Sequence, residues 1–376
     1  MGLATHNRAG EITYRHLSGF TYEVTITTCT RSDVIADRPW LEIDWGDIQE
    51  GDPLDSLERQ LPINFLSPTA QINTYIGVHT YSGPGEFVIS VLDPNRNSGV
   101  LNIPNSVEQP FCIQSTLIIN PQTGNNNSVQ LLNPAKENAC LNKLWIHNPG
   151  AFDPDGDILR YSLVTCLGDE CEPINGYIGP ELVNAADDTF TIDEFTGDVV
   201  WEFPSQVGEY NIAILIEEFR EVNGILVKVG DVLRDMQITV QACTNNPPII
   251  DPINEICVVA GTNIEIEVNA TDPDGDNLNL EAIGGPLTET FNIANFSSSG
   301  GQGEFDWTPE CEEVRPNPYQ VVFKAEDQGN QIPLSDLESW FITVVAPPVQ
   351  NPTADPDANS FILNWDIHEC AGVFSE

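Results

Sequence analysis

Basic residues are scarce in this chain of 376 amino acids, which carries 14 Lys and Arg against 57 Asp and Glu. The resulting net charge of −43 repels phosphate backbones and anionic lipid headgroups. We therefore expect no nucleic-acid partner. The same excess of carboxylates favours solubility and attracts divalent cations wherever several of them converge.

Long apolar runs and catalytic motifs are lacking as well. No stretch of about 18 apolar residues, the length of a transmembrane helix, occurs, so we expect no membrane insertion. The sequence contains no His-Glu-x-x-His, no Gly-x-Ser-x-Gly and no phosphate-binding loop. These absences predict that the chain is not an enzyme. A carboxylate pair for glycoside cleavage stays open, because its separation cannot be read from sequence.

Helix-forming windows are also absent, and short alternating segments take their place. Residues 22–28, 87–91, 210–216 and 319–325 alternate apolar with polar side chains, which is typical of half-buried strands. Turn clusters rich in Gly, Pro, Asn and Ser separate them. This pattern predicts an all-β protein of tandem immunoglobulin-like β-sandwiches in an extended array.

An internal repeat divides the chain. Asp-Pro-Asp-Gly-Asp occurs at residues 153–157 and again at 272–276, and Tyr210 and Tyr319 each begin a strand that ends in an acidic pair. We interpret these segments as two copies of one domain, with proline-rich joints as boundaries. The predicted units are residues 1–121, residues 122–243, residues 244–346, and residues 347–376 as the start of a truncated fourth domain.

Eight of the nine cysteines are distributed in even numbers over the first three predicted units. Even counts favour disulfides and an oxidising, extracellular compartment. The remaining cysteine, Cys370, is expected to pair beyond Glu376. The cysteines of the three units are Cys29 and Cys112, then Cys140, Cys166, Cys171 and Cys243, then Cys257 and Cys311.

The repeated acidic loops are the strongest candidate for a site. Alternating carboxylates around a turn glycine supply the hard oxygen ligands that calcium prefers, and the acidic residue that ends the Tyr strand is the leading further ligand. The alternative is a solvent-exposed Asx turn without metal. Gly lies at the fourth loop position, which excludes an EF-hand. The candidate calcium ligands are Asp153, Asp155, Asp157 and Glu218 in the second unit, and Asp272, Asp274, Asp276 and Asp327 in the third.

Both loop-bearing units resemble cadherin-type repeats. The resemblance rests on residues 270–280, 325–335 and 341–345, and on the Phe-x-Ile-Asp-x-x-Thr-Gly pattern at residues 190–197. It implies calcium ligation near domain junctions by Asp153, Asp155, Asp272, Asp274 and Asp327. The Asp-Arg-Glu element of that family is absent after Trp201 and Trp307, so the resemblance implies few ligands and millimolar-range affinity.

The outer parts of the chain resemble other sandwich families. Trp45-Gly46-Asp47 and His79-Thr80-Tyr81 are similar to the structural segments of a PKD-type domain, which implies a packed His79 at a strand edge. Residues 361–365 resemble the opening of a fibronectin type III domain.

Taken whole, the chain resembles large secreted proteins of gliding Bacteroidota. Those proteins carry a gliding-motility-associated C-terminal domain and leave by the type IX secretion system. The resemblance implies a secreted, calcium-stabilised adhesive segment at the cell surface. Its expected partners are surface glycans or proteins and the neighbouring domains of the same long chain. The alternative is a set of accessory or carbohydrate-binding modules of a secreted hydrolase, with exposed tryptophans as stacking platforms.

Overall fold

Strands make up nearly all regular structure in this computed structural model. The all-β class and the immunoglobulin-like tandem sandwiches are confirmed. None of the described helices is long and apolar enough to cross a membrane. Those helices are the single-turn 3₁₀ segments Ser106–Glu108, Asp169–Cys171, Pro180–Leu182, Gly285–Leu287 and Cys311–Glu313. The structure describes residues 7–33, 37–48, 51, 53–94, 96–184, 188–288, 290–329, 332–357, 360–366 and 370.

The first unit is a sandwich whose core comes from alternating strand residues. Tyr22, Val24 and Ile26 are fully buried on one face of β2, as the period of two predicts. The ring of His79 stacks on Trp45 with 4.8 Å between centroids, so the histidine is packed at the strand edge as predicted. The strands are β1 (Asn7–Ser18), β2 (Thr21–Arg31), β3 (Trp40–Ile43), β4 (Asp55–Glu58), β5 (Asn64–Ser67), β6 (Ala70–Thr80), β7 (Gly85–Asp93) and β8 (Phe111–Ile119).

The second unit is built around a long hairpin, β16 and β17. Its turn is Asn223-Gly224, and both residues have positive φ, 53° and 78°, which suits a two-residue hairpin turn. The strands of this unit are β9 (Gln130–Leu131), β10 (Lys136–Cys140), β11 (Trp145–His147), β12 (Ala151–Phe152), β13 (Ile158–Val164), β14 (Phe190–Ile192), β15 (Val199–Trp201), β16 (Gly208–Val222) and β17 (Ile225–Gln241).

One sheet joins the first two units. Strand β17 pairs with β1, where Asp235 lies opposite Gly10, and with β8, where Gly230 lies opposite Leu117. Seven strands of this ten-stranded sheet follow the order β13-β16-β17-β1-β2-β6-β5. The other three branch from this path: β10 and β8 both pair with β17, and β7 pairs with β8. The two sandwiches are therefore continuous through backbone hydrogen bonds. The unit boundaries drawn from sequence stay predictions.

Buried ion pairs lie where these two units meet. Arg234 on β17 donates to both carboxylate oxygens of Glu11 on β1, at 2.7 and 2.9 Å. Arg96 donates to Asp235 at 2.6 Å, and both side chains are 1% exposed. Buried charges are tolerated only when they are paired. The Arg234–Glu11 pair therefore links β17 directly to β1.

The third unit is a sandwich of two four-stranded sheets. The first sheet has the order β18-β20-β23-β22, and the second has the order β19-β25-β24-β21. Trp307, Phe323 and Trp340 fill the space between them. The strands are β18 (Ile249–Ile250), β19 (Ile256–Val259), β20 (Ile264–Thr271), β21 (Leu278–Gly284), β22 (Asn295–Ser299), β23 (Gln302–Trp307), β24 (Tyr319–Asp327) and β25 (Ser335–Val345); a separate hairpin, β26 (Thr353–Asp357) and β27 (Ser360–Asn364), follows.

Polar contacts connect the second and third units. Lys324 Nζ donates to Glu137 Oε1 at 2.8 Å, and this carboxylate also lies 3.3 Å from Nδ1 of the buried His147. Burial lowers the pKa of His147, which favours its neutral form here. Asn317 Nδ2 donates to the carbonyl oxygen of Gly156 at 2.7 Å. The third unit therefore touches the acidic loop of the second.

The disulfides correct the pairing expected from sequence. Three bonds are present: Cys112–Cys171, Cys140–Cys243 and Cys311–Cys370. The expectation that Cys370 pairs beyond Glu376 was wrong, because Cys311 of the third unit is its partner. Even counts within units were also misleading, since the first bond links the first unit to the second across their shared sheet. Cys29, Cys166 and Cys257 are free thiols.

Candidate functional site

The two acidic loops have the same backbone geometry. In the second unit, the N–H of Asp157 donates to Asp153 Oδ1 at 2.8 Å, and Gly156 makes the turn with a φ of 78°. In the third, the N–H of Asp276 donates to Asp272 Oδ1 at 3.0 Å. The first Asp of each loop therefore accepts the backbone N–H of the residue four positions on, so the two loops share this hydrogen bond.

Each loop is also bonded to the linker that precedes its own unit. Asn127 donates its backbone N–H and its side-chain amide to Asp155, both at 2.7 Å. Asn246 donates in the same way to Asp274, at 2.8 and 2.9 Å. These hydrogen bonds lower the pKa of Asp274. The central carboxylate of each loop is thus attached to a joint between sandwiches.

The acidic residue at the end of each Tyr strand is bonded to an asparagine of the same linker. Glu218 Oε2 accepts from Asn126 Nδ2 at 2.6 Å, and Asp327 Oδ2 accepts from Asn245 Nδ2 at 2.8 Å. Burial, with the charge of Asp153 second, raises the pKa of Glu218. Burial also raises the pKa of Asp327, and the charges of Asp272 and Asp276 act in the same direction. In each site, several carboxylates therefore lie close enough to repel one another, and a nearby positive charge would stabilise their ionised forms.

The second-unit site contains a positive charge of its own. Arg220 Nε donates to Asp157 Oδ1 at 2.7 Å, and Nη2 donates to Asp157 Oδ2 at 2.5 Å. The same Nη2 lies 3.2 Å from Asp155 Oδ2 and 2.9 Å from Asn126 Oδ1. Arg220 follows a β-bulge next to Glu218, and bulges redirect side chains in this way. Burial still raises the pKa of Asp153 to about 7, with the charge of Asp157 second.

The third-unit site has no such arginine among the described residues. Counting from the repeated tyrosines, the position of Arg220 is taken by Gly329. Within the described part of the chain, three oxygen atoms of this site are buried without a hydrogen-bond partner: Asn245 Oδ1, Asp327 Oδ1 and Asp272 Oδ2. Asn245 and Asp327 are both 0% exposed. A buried hydrogen-bond acceptor without a donor lowers the stability of the fold. These oxygens could therefore act as ligands of a bound cation.

The side-chain rotamers present here do not form a complete metal shell. In the described part of the chain, no group of three His, Cys, Asp or Glu side chains is placed to hold a metal ion. Asp274 directs both carboxylate oxygens to Asn246, and Asp272 Oδ1 accepts the N–H groups of Asp274 and Asp276. The donors are all hard oxygens, the class that calcium prefers. A cation would have to rotate these carboxylates towards Asp327.

Sequence reasoning missed Arg220 and the amide side chains of the linkers. Arg220 lies two residues beyond Glu218 and belongs to a strand with otherwise ordinary alternation. An alignment of the two repeats could have found it. The tenth residue after Tyr210 is an arginine, whereas the tenth residue after Tyr319 is a glycine. A comparison of the two copies position by position shows this change of charge.

The tryptophans act mainly as core residues. Trp45, Trp145, Trp201, Trp307 and Trp340 are each at most 4% exposed, so they cannot stack on a ligand at the surface. Trp40 and Trp365 are 53% and 54% exposed. The carbohydrate-binding alternative therefore rests on two side chains.

Comparisons with solved structures return an adhesin, tandem immunoglobulin domains and a cadherin fragment. The SrpA adhesin of Streptococcus sanguinis is 16% identical, with a TM-score of 0.23. The match covers 30% of this chain and 64% of the adhesin chain, so this chain spans less than two thirds of the adhesin's length. Three consecutive immunoglobulin domains of titin are 11% identical, with a TM-score of 0.19 over 91% of this chain and 99% of that one. A Drosophila N-cadherin fragment of three domains is 12% identical, with a TM-score of 0.21 over 84% and 92%.

These likenesses concern the fold alone. No protein-family model matches the sequence, and no curated protein matches it. The function is therefore argued from the site.

Proposed function

We propose that this chain is a non-enzymatic structural and adhesive segment of a secreted cell-surface protein, stabilised by calcium at the third-unit loop. The observation that carries the calcium part is the set of buried oxygens without donors beside a linker, namely Asn245 Oδ1, Asp327 Oδ1 and Asp272 Oδ2. A divalent cation satisfies such acceptors and offsets the repulsion between carboxylates.

The position of this loop supports a role at a joint. Asn246, which bonds Asp274, also accepts a hydrogen bond at 2.6 Å from Lys143 of the second unit. A cation held by Asp272, Asp274 and Asp327 would therefore stiffen the connection between the second and third sandwiches. Such stiffening serves a segment that holds a binding surface away from the cell.

The three disulfides favour an extracellular location, because such bonds persist in oxidising compartments. The proposal extends this to secretion, and the resemblance to type IX secreted proteins of gliding Bacteroidota supplies a candidate export route. The proposed partners are surface glycans or proteins, bound by this segment or by neighbouring domains.

A calcium isotherm on the purified chain tests the site. We expect one bound calcium with a dissociation constant in the extracellular range of about 10⁻⁴–10⁻³ M. The double variant Asp274→Asn with Asp327→Asn removes two charged ligands and should weaken binding at least about tenfold. Asp251→Asn, at an exposed position of the same unit, is the matched control and should bind as the parent does. Equal binding by the double variant and the control would refute the assignment of the site.

A further inference from the structure

We infer that Arg220 is a built-in cation that occupies the second-unit site, so that calcium dependence is confined to the third unit and Arg220→Gly creates a second calcium site. This inference rests on the proposed function for the identity of the cation.

The guanidinium of Arg220 makes the contacts that a bound calcium ion would make. It donates to six oxygen atoms: the backbone carbonyls of Thr123 and Asn125, the amide oxygen of Asn126, one carboxylate oxygen of Asp155 and both of Asp157. Calcium sites use six to eight oxygens of these same kinds. The guanidinium therefore satisfies six oxygens of the second-unit site and leaves Asp153 Oδ2 buried without a partner.

The third unit shows the same scaffold without this group. Asn126 Oδ1 accepts from Arg220 at 2.9 Å, whereas the equivalent Asn245 Oδ1 is buried and has no partner. At the position of Arg220, Gly329 has no side chain, and a Cβ added there would lie 2.3 Å from Asp276 Oδ2. The carboxylate of Asp276 thus packs directly against the backbone of Gly329, at the position where the other copy has the arginine.

An arginine also explains why the second unit would be indifferent to calcium. The guanidinium stays charged at every physiological pH and cannot dissociate from the protein. The second loop is bonded on both sides, to Asn127 of the linker and through Gly156 to Asn317 of the third unit. A permanent cation keeps this doubly attached loop folded when extracellular calcium falls.

The test compares the number of calcium ions bound and the melting temperature of four forms of the full chain. The parent should bind one calcium, and Arg220→Gly should bind two and should melt lower than the parent in chelator, with the loss recovered in calcium. Arg220→Lys retains a charge and should still bind one. Arg15→Gly removes an exposed arginine paired with Glu23 and should leave the number of bound ions unchanged.

The outcomes separate this inference from the proposed function. A single calcium in Arg220→Gly, lost on Asp274→Asn, would overturn the inference and leave the proposed function intact. Two ions in the parent, one of them lost on Asp155→Asn, would overturn it as well. No calcium in the parent but one in Arg220→Gly would support the built-in cation and refute the proposed third-unit site. If Arg220→Gly does not fold in chelator, folding on addition of calcium supports the inference, and failure to fold with calcium contradicts it.

Discussion

Replacing Arg234 with methionine should lower the free energy of unfolding by about 3–5 kcal/mol. Arg234 is 1% exposed, makes two hydrogen bonds to Glu11, and donates a third, at 2.6 Å, to the carbonyl oxygen of Asn133. The substitution leaves the Glu11 carboxylate buried without its cation, at the place where β1 meets β17. The loss is measured by denaturant unfolding of the parent and the variant.

Two controls identify the cause of this loss. In Arg234→Met with Glu11→Leu, both charges are gone, and most of the stability should return because no unpaired charge stays buried. Arg15→Met removes an exposed arginine and should cost less than about 1 kcal/mol. If Arg234→Met and Arg15→Met unfold at the same denaturant concentration, the buried pair does not stabilise the shared sheet.

Removing the Cys140–Cys243 disulfide should cost about 2–5 kcal/mol, the second large effect. The bond links residues 103 positions apart and so closes almost the whole second unit. It joins Cys140, the last residue of β10, to Cys243, which lies two residues after the end of β17. Strands β10 and β17 are parallel neighbours in the sheet. Opening so long a loop restores much chain entropy to the unfolded state.

The double variant Cys140→Ala with Cys243→Ala measures this effect by calorimetry. Cys257→Ala, which removes an exposed free thiol of the third unit, is the matched control and should melt close to the parent. An unchanged melting profile in the double variant would show that the hairpin β16–β17 holds the second unit together without the covalent bond.

The parts of the fold that were predicted correctly depend on local pattern. Alternation in β2 buries Tyr22, Val24 and Ile26, and the spacing of Asp153 and Asp157 around Gly156 determines the turn. Both follow from the stereochemistry of a few consecutive residues. The repeat placed Glu218 and Asp327 at the same point of equivalent strands, and both accept a hydrogen bond from a linker asparagine; their role as calcium ligands stays a prediction.

The parts that were missed depend on contacts between distant segments. The bond Cys112–Cys171 crosses a predicted unit boundary, and an isolated bridge between Cys112 and Leu167 brings the two segments together. The pairing of β17 involves residues more than a hundred positions apart, for which local periodicity contains no information. Arg220 escaped notice for a related reason, since its partners Thr123 and Asp157 are brought to it only by the folded linker and loop.

Thermal unfolding in calcium and in chelator tests the central claim most directly. At a calcium concentration tenfold above the dissociation constant, one site adds about 1.4 kcal/mol to the stability of the unit that holds it. We predict that calcium raises the melting temperature of the parent, and that Asp274→Asn with Asp327→Asn reduces this rise to less than half. Identical melting curves for the parent in calcium and in chelator would contradict the account.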